Sequence, residues 1–157
     1  AVAEDPVRLP ARNLVYEAHD YSWSHPLDWE QDPQRASAIM TMQLDKVAGF
    51  ILRKGIAPVL ISEFGMSHDW YASNSTFGWF ETFKGYVLDG PLKDRGGLDW
   101  MYWQLTSVQV GGTGRQRGSD EAFGVLNRCL APGHDQHFAA IIDLGITPPL
   151  GFSDVLI

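Results

Sequence analysis

Cysteine is nearly absent from this 157-residue chain, which contains only Cys129. The chain therefore has no internal disulfide, and it lacks the paired cysteines of a structural metal site. No apolar run reaches the roughly 18 residues that a membrane-spanning helix requires. The first residues also lack the basic and apolar segments of a signal peptide, as a processed product would. We expect a soluble protein without a membrane partner.

Positive charge is also scarce in the sequence. Twelve lysines and arginines stand against 19 aspartates and glutamates, which gives a formal net charge of −7. The arginines are interspersed and form no basic stripe, so nucleic acid is not expected as a partner. Of the residues, 45% are apolar and 20% are charged, which is the composition of one globular domain with a real core.

Apolar runs and helix signals alternate along the first half of the chain. Residues 13–19 and 58–64 contain the continuous apolar runs that are typical of strands in a parallel sheet. Between them, Asp32 and Pro33 supply an N-cap and a first-turn proline, and apolar residues recur at helical spacing until Gly55. The pattern predicts a strand, a helix and a second strand.

The second half of the chain repeats this order. Thr76 is predicted to cap a second helix that ends near Gly90, and residues 98–105 are predicted to form a third strand. The order implies right-handed parallel crossovers and hence an α/β fold. Residues 138–146 are apolar enough for a fourth strand or a short helix, and their periodicity does not decide between the two.

Glu63 is the most informative single residue. Residues 59–65 form an apolar run that delivers one carboxylate to the end of a buried strand, next to the flexible Gly65. A carboxylate held rigidly at the rim of a sheet, in partly dry surroundings, has the setting of a reacting group. The alternative is that Glu63 only ends the strand as a solvated or ion-paired acid.

Chemistry-bearing residues lie at all three predicted strand ends, where parallel α/β proteins bind ligands. The first end carries His19 and Tyr21, the second Glu63, and the third Trp103 with Gln104. Such a set suits a sugar site, because a carboxylate can attack the anomeric carbon, imidazole and phenol can hold it, and an indole can stack on the pyranose. A structural histidine and a core tryptophan are the alternatives.

Three segments resemble a known family in this order. Residues 14–21 (LVYEAHDY), 59–65 (VLISEFG) and 98–105 (LDWMYWQL) are similar to the sixth, seventh and eighth strands of glycoside hydrolase family 5, the cellulase family of (β/α)8 barrels. The likeness covers roughly residues 12–128. It implies that residues 1–157 are the C-terminal portion of a catalytic domain, an α/β partial (β/α)8 TIM barrel of about three to four βα units.

The resemblance also assigns roles to residues. It implies that Glu63 is the catalytic nucleophile, that His19 and Tyr21 are the pair beside it, and that Trp103 stacks under the sugar. Further substrate-binding candidates at the rim are Gln104, Trp23 and Trp70. The implied activity is retaining, endo-β-glucanase-like hydrolysis of a β-glucan such as cellulose, in an extracellular setting and without a metal or other cofactor.

The second acid of a retaining mechanism is missing from these motifs. The family places its general acid/base in an Asn-Glu pair, and no such dipeptide occurs in the chain. Retaining hydrolysis needs two carboxyl groups roughly 5 to 5.5 Å apart. Glu17 points to the same side of its strand as His19, one layer deeper, where we expect a structural role. Three further acids near the rim are expected to be solvated charges, caps or anchors: Asp20, Asp69 and Asp99.

Three consecutive βα units cannot close a barrel, which needs about 250 residues. The open edges then require a companion chain that carries the first five strands, a second copy of this chain, or cover from terminal segments. A different class of function is also open: a non-catalytic carbohydrate-binding or interaction protein that keeps the aromatic platform. An incomplete product without a function is the third alternative.

Two other motifs carry weaker signals. Residues 111–119 form a loop dense in glycine and arginine, but this loop lacks the Gly-Lys-Ser/Thr of a P-loop, so a mobile surface loop is expected. His134 and His137 have helical spacing, yet no nearby acid or cysteine completes a ligand set, so we expect a surface pair rather than a metal site.

Overall fold

Three parallel strands form the centre of the fold. The computed structural model describes residues 4–7, 9, 13–90, 98–133 and 135–145. Within them, strand β1 covers Tyr16–Asp20, β2 covers Val59–Phe64 and β3 covers Asp99–Tyr102. The sheet order is β1-β2-β3, and both pairings are parallel. The predicted α/β order is confirmed, although β1 and β3 are shorter than the segments predicted to form them.

The first crossover is the helical segment predicted between β1 and β2. Helix α1 covers Pro33–Leu44, a π-helical turn covers Asp45–Gly49, and helix α2 covers Phe50–Arg53. The carboxylate of Asp32 accepts a hydrogen bond from the Arg35 amide, as expected for an N-cap before a first-turn proline. The helix prediction is confirmed, but the π turn inside it was not visible in the periodicity.

The second crossover is helix α3, Asn74–Asp89. The Ser73 hydroxyl caps it by accepting a hydrogen bond from the Thr76 amide, so the predicted cap at Thr76 is wrong by three residues. Thr76 also carries a hydroxyl, which made it a candidate for the cap. It lies inside the first turn, however, and its backbone amide donates the capping hydrogen bond. The predicted end is confirmed, since Gly90 follows the helix with a φ of 63°.

Helix α4, Asp135–Gly145, decides the alternative left open for residues 138–146 in favour of a helix. Buried or partly buried side chains recur every third residue at Phe138, Ile141 and Leu144, which is a helical and not a strand spacing. His137 is fully buried on the same helix, and its Nε2 lies 2.7 Å from the Tyr102 hydroxyl. The predicted surface position of His137 is therefore wrong, and His134 lies outside the described residues.

The core lies between one face of the sheet and the helices α1 and α3. Ile61 and Phe64 point into it from β2, and Trp79 and Phe83 meet them from α3. The opposite face of the sheet carries exposed side chains, among them Met101 at 57% exposure. Within the described ranges, no helix is long and apolar enough to cross a membrane.

Candidate functional site

The strand register places the first two predicted site residues side by side. His19 pairs with Glu63, and Asp20 pairs with Phe64, at the carboxyl ends of β1 and β2. The register is irregular between Ala18 and His19, directly before this pairing. An irregular pairing re-aims the side chains that follow it. The carboxyl-terminal rim therefore starts at Glu63.

Glu63 lies next to Tyr21 and His19, the two residues that were predicted beside it. The Tyr21 hydroxyl donates a hydrogen bond of 2.7 Å to Glu63 Oε1. His19 Nδ1 lies 3.9 Å from Glu63 Oε2, too far for a hydrogen bond but close enough for an electrostatic contact. The Glu63 side chain is 30% exposed. The carboxylate is thus oriented by a phenol and still reachable from solvent.

Tyr21 keeps its proton in this arrangement. Burial raises the pKa of Tyr21 far above its ordinary value, and the hydrogen bond to the Glu63 carboxylate raises it further. The positive charge of Arg115 acts on the same phenol in the opposite direction. A phenol that stays neutral is a permanent donor to Glu63, so the carboxylate keeps a fixed direction.

Glu17 lies on the same side of β1 as His19, as predicted, but it is not buried. Its side chain is 65% exposed, it accepts a hydrogen bond from the Ser62 hydroxyl, and its Oε1 lies 3.8 Å from His19 Nε2. The expectation of a buried structural acid was wrong, because the sheet face that carries Glu17 is open to solvent in the described part of the chain. His19 consequently lies between two carboxylates, those of Glu17 and Glu63.

Asp20 anchors the loop that follows β1. It is buried, and it accepts hydrogen bonds from Trp79 Nε1 at 2.6 Å and from His25 Nε2 at 2.8 Å. The second ring nitrogen of His25 lies 2.7 Å from Gln43 Oε1. The hydrogen bond to Asp20 is the largest cause that raises the pKa of His25. Of the roles expected for Asp20, that of a hydrogen-bonding anchor is the one observed.

Tyr21 and Trp23 form an aromatic stack in this loop, and Trp23 is its exposed member. The rings of Tyr21 and Trp23 are parallel within 12°, with centroids 4.1 Å apart, and Trp23 is 64% exposed. Phe123 packs edge-on against both rings at 6.3 and 6.0 Å. A broad, flat and solvent-facing indole is the kind of surface on which a pyranose ring stacks. Trp23 thus lies beside the predicted nucleophile's partner.

Trp103 leaves β3 at the same rim. Its amide donates to the Phe64 carbonyl at 2.7 Å, one residue beyond Glu63. A Cβ atom on Gly65 would lie 2.2 Å from the Trp103 carbonyl oxygen, so only glycine permits this close approach. The peptide bond between Trp103 and Gln104 is cis. The side-chain Nε2 of Gln104 donates to the Thr106 carbonyl at 2.8 Å, which ties this side chain to its own loop.

The sequence analysis did not identify Arg115 and Glu121 as neighbours of Trp103. The guanidinium carbon of Arg115 lies 5.0 Å from the centre of a Trp103 ring, and Arg115 Nη2 donates to Glu121 Oε2 at 2.7 Å. Arg115 belongs to the loop of residues 111–119, for which only a mobile surface role was expected. The arginine-rich composition was the only available signal, and it does not say which ring a guanidinium will meet.

Trp70 does not join the other candidates. It is 8% exposed, stacks parallel to Phe77 and packs its edge against Phe80 in the hydrophobic core. The structure therefore corrects the prediction that Trp70 binds substrate, since its ring lies among core side chains. Among the described residues, no group of three or more histidine, cysteine or acidic side chains could hold a metal ion.

Comparison with known proteins agrees with this fold. The sequence model of the family described as cellulase (glycosyl hydrolase family 5) matches residues 1–109, more than half of the chain. The structure is similar to that of an endocellulase from Pyrococcus horikoshii solved in complex with cellotetraose, with a TM-score of 0.64 and 16% sequence identity. That match covers 92% of this chain and 34% of the endocellulase chain, so this chain spans about a third of the endocellulase's length.

A β-glucuronidase from Faecalibacterium prausnitzii also matches, with a TM-score of 0.48 and 16% identity, over 96% of this chain and 24% of that chain. The endocellulase match identifies the fold: three parallel strands with their helices correspond to part of a TIM-barrel enzyme.

Proposed function

The chain belongs to glycosyl hydrolase family 5, and we propose that it forms part of a retaining glycosidase that cleaves O-glycosyl bonds of a β-glucan such as cellulose. The three described strands would be the sixth, seventh and eighth of a (β/α)8 barrel. The observation that carries the proposal is the position of Glu63. Its carboxylate is oriented by the Tyr21 hydroxyl at 2.7 Å, remains 30% exposed and stands at the carboxyl-terminal rim of parallel strands.

The proposed chemistry assigns the covalent step to Glu63. One of its oxygens forms a bond to the anomeric carbon while the bond from that carbon to the leaving oxygen breaks. The leaving oxygen keeps the electron pair and takes a proton from a second carboxyl group. Water then attacks the anomeric carbon and gives its proton to that second group, and Glu63 departs as a carboxylate.

His19 and Tyr21 would act on Glu63 rather than on the sugar bond. The neutral Tyr21 donates to one carboxylate oxygen and leaves the other available for attack. His19 lies 3.9 Å from that other oxygen, and it also lies 3.8 Å from Glu17. We propose that Tyr21 and His19 together set the direction of the nucleophile.

The aromatic residues would bind the sugar. Trp23 presents an exposed indole above Tyr21, and Trp103 leaves β3 at the same rim. Stacking on flat rings suits a β-linked glucan, whose pyranose faces are apolar and whose hydroxyl groups lie at the edges. Together with Glu63, these rings support a sugar and not a phosphate or a nucleic acid as the ligand.

The second carboxyl group of a retaining mechanism is proposed to lie on polypeptide that completes the barrel. The open face of the sheet exposes Glu17, His19 and Met101, where the interior of a closed barrel would be. A companion segment with the remaining strands, or a second copy of this chain, would cover that face and carry the acid. Light scattering distinguishes these arrangements, because only the second predicts a dimer of this chain.

The role of Glu63 can be tested without the proton donor. We propose incubating the chain with a fluorinated β-cellobioside whose leaving group is dinitrophenolate, since so weak a base departs without protonation. Release of dinitrophenolate and a mass increase on the peptide that contains Glu63 are the expected results. Glu63→Gln should show neither. Asp69→Asn is the matched control, because Asp69 is an exposed carboxylate in the loop after β2 and bonds only locally to Ser67.

The exposed Trp23 indole, stacked on Tyr21, favours a second candidate, a non-catalytic carbohydrate-binding protein. Cellotetraose binding without any labelling of Glu63 in the wild-type chain would favour this candidate. Labelling that persists in Glu63→Gln would contradict the assignment of the nucleophile. Turnover of a soluble β-glucan that is lost in Glu63→Gln while binding remains would establish the hydrolase.

A further inference from the structure

We infer that Arg115, held by Glu121, is a positioning residue that sets the orientation of the Trp103 indole. The inference rests on the proposed function only for the purpose of that indole, which is to stack on a sugar ring. The contacts that carry it are independent of any ligand. They join one loop, residues 106–126, to the Trp103 indole and, through Phe123, to the rings of Tyr21 and Trp23.

The first contact is between a cation and an aromatic face. The guanidinium carbon of Arg115 lies 5.0 Å from the centre of a Trp103 ring, within the range of a favourable cation–π interaction. A guanidinium is planar and can lie flat on an indole, which an ammonium group cannot. Arg115 thus covers one face of Trp103 and restrains the tilt of the ring.

The second contact fixes Arg115 itself. Arg115 Nη2 donates to Glu121 Oε2 at 2.7 Å, and the Glu121 side chain is only 8% exposed. A buried carboxylate that loses its cation is costly to keep ionised, so this pair resists separation. The Glu121 amide donates to the Ser107 carbonyl at 3.0 Å, which fastens the acid to the segment that follows Trp103. The guanidinium therefore has one preferred place.

Glu121 also connects to a second aromatic group, the stacked rings of Tyr21 and Trp23. Glu121 Oε1 accepts a hydrogen bond of 3.4 Å from the Phe123 amide, and the Phe123 ring packs edge-on against Tyr21 and Trp23. One buried carboxylate is thus linked to both stacking surfaces. Arg115 and Glu121 lie beyond residues 1–109, the part of the chain that the family sequence model matches. The positioning device is a property of the adjoining segment.

The test follows the indole of Trp103 by NMR, in the absence of sugar. Trp103→Phe identifies its indole N–H signal among those of the six tryptophans. In Arg115→Gln we expect this signal to shift more than any other indole signal. Arg115→Lys keeps a cation for Glu121 but loses the planar contact, so it should shift the same signal with an unchanged Tm. Arg115→Lys decides the test if Arg115→Gln unfolds.

Arg128→Gln is the matched control. Arg128 lies just after this loop and pairs at 2.6 Å with Asp120, the residue before Glu121, and both partners are well exposed. Its removal should leave the Trp103 signal in place. A Trp103 signal that stays unmoved in Arg115→Lys, or moves equally in Arg128→Gln, would overturn the positioning role.

A second measurement gives the consequence for binding. Calorimetry with cellotetraose should show affinity lowered roughly 3- to 10-fold in Arg115→Gln, the range expected for one partly buried cation–π contact, and unchanged in Arg128→Gln. A higher affinity in Arg115→Gln would also overturn the inference, because Arg115 would then occupy the face that the sugar needs. If the wild-type chain does not bind cellotetraose, the proposed function fails, and the NMR comparison alone still decides the positioning role.

Discussion

The two faces of the sheet differ sharply, although the same three strands build both. On the face toward the helices, Ile61 and Phe64 are almost completely buried. On the other face, His19 and Met101 are exposed and Glu63 is partly exposed. Side chains alternate between faces along a strand, and the irregular register between Ile61 and Phe64 shifts this alternation within β2. One segment can therefore supply both core residues and a chemical surface. The helix-covered face makes the fold, and the open face carries the candidate chemistry.

The covered face owes its packing to aromatic residues. Phe64 lies 4.6 Å from Phe83 and contacts Trp100 and Tyr102 edge-on, at 5.5 and 5.2 Å between centroids. Trp79 stacks on Phe83 at 5.4 Å. Aromatic rings in these arrangements contribute beyond the area that they bury. The stability of the described fold should therefore depend on this face far more than on the open one.

The largest effect is expected from the covered face. Phe83→Ala removes a fully buried ring and should lower the free energy of unfolding by about 3 to 5 kcal/mol. Met101→Ala on the open face should change it by less than about 0.5 kcal/mol. Urea unfolding measures both variants. Similar losses in the two would mean that the open face is covered in solution, and the contrast between faces would break down.

The next effect concerns the buried pair behind the rim. The hydrogen bond to Asp20 raises the pKa of His25 above its ordinary value of 6.5 in the folded state. Protonated His25 therefore stabilises the folded state fully below pH 6.5. This stabilisation is lost as the pH rises through the higher pKa of the folded state. His25→Gln should cost about 1 to 3 kcal/mol at low pH and flatten the dependence of unfolding free energy on pH above 6.5. Urea unfolding at several pH values measures this. An unaltered slope in the variant would remove His25 from the stabilising network.

A smaller effect is expected from the phenol that orients the nucleophile. Tyr21→Phe deletes the hydrogen bond to Glu63 but keeps the stack with Trp23. The rate of labelling by the fluorinated cellobioside should fall by about tenfold, which corresponds to about 1.4 kcal/mol of lost orientation. The wild-type Tm should be nearly retained, which separates this effect from unfolding. An unchanged labelling rate would show that Tyr21 is only a packing residue.

The smallest effect is expected at Glu17. This residue is well exposed, and its carboxylate lies 3.8 Å from His19 Nε2. Glu17→Gln should therefore change the labelling rate less than about threefold and the unfolding free energy less than about 0.5 kcal/mol. The same two assays measure both quantities. If Glu17→Gln lowered the labelling rate as much as Glu63→Gln, Glu17 would be a reacting group. Both acids of the mechanism would then lie on the open face.

Much of the fold was readable because its signals are local. The Asp32-Pro33 start of α1 and the continuous run of β2 depend on neighbouring residues alone, and both were predicted within a residue or two. Segments whose signals compete were less well read. Ser73 and Thr76 both offer a capping hydroxyl, and residues 138–146 suit a strand or a helix until packing selects one.

The site residues also divide into those that were predicted correctly and those that were not. Glu63, His19 and Tyr21 were predicted together because each follows an apolar run and parallel strands end at one edge. Trp70 was wrongly predicted to bind substrate and Arg115 was missed, because an aromatic or a charged side chain in a loop has no periodic pattern that shows which neighbour it will meet. Packing placed Trp70 in the core and Arg115 on Trp103.

By itself, the sequence determined the order of strands and helices and the presence of an acid, an imidazole and an indole at three strand ends, because hydrophobic periodicity and strand direction act over short stretches of chain. Only the tertiary structure decided which of these groups touch. The bond from Tyr21 to Glu63 spans 42 residues, and its 2.7 Å length depends on how two strands are aligned. Contacts at such separation depend on the packing of the whole domain, which no local pattern records.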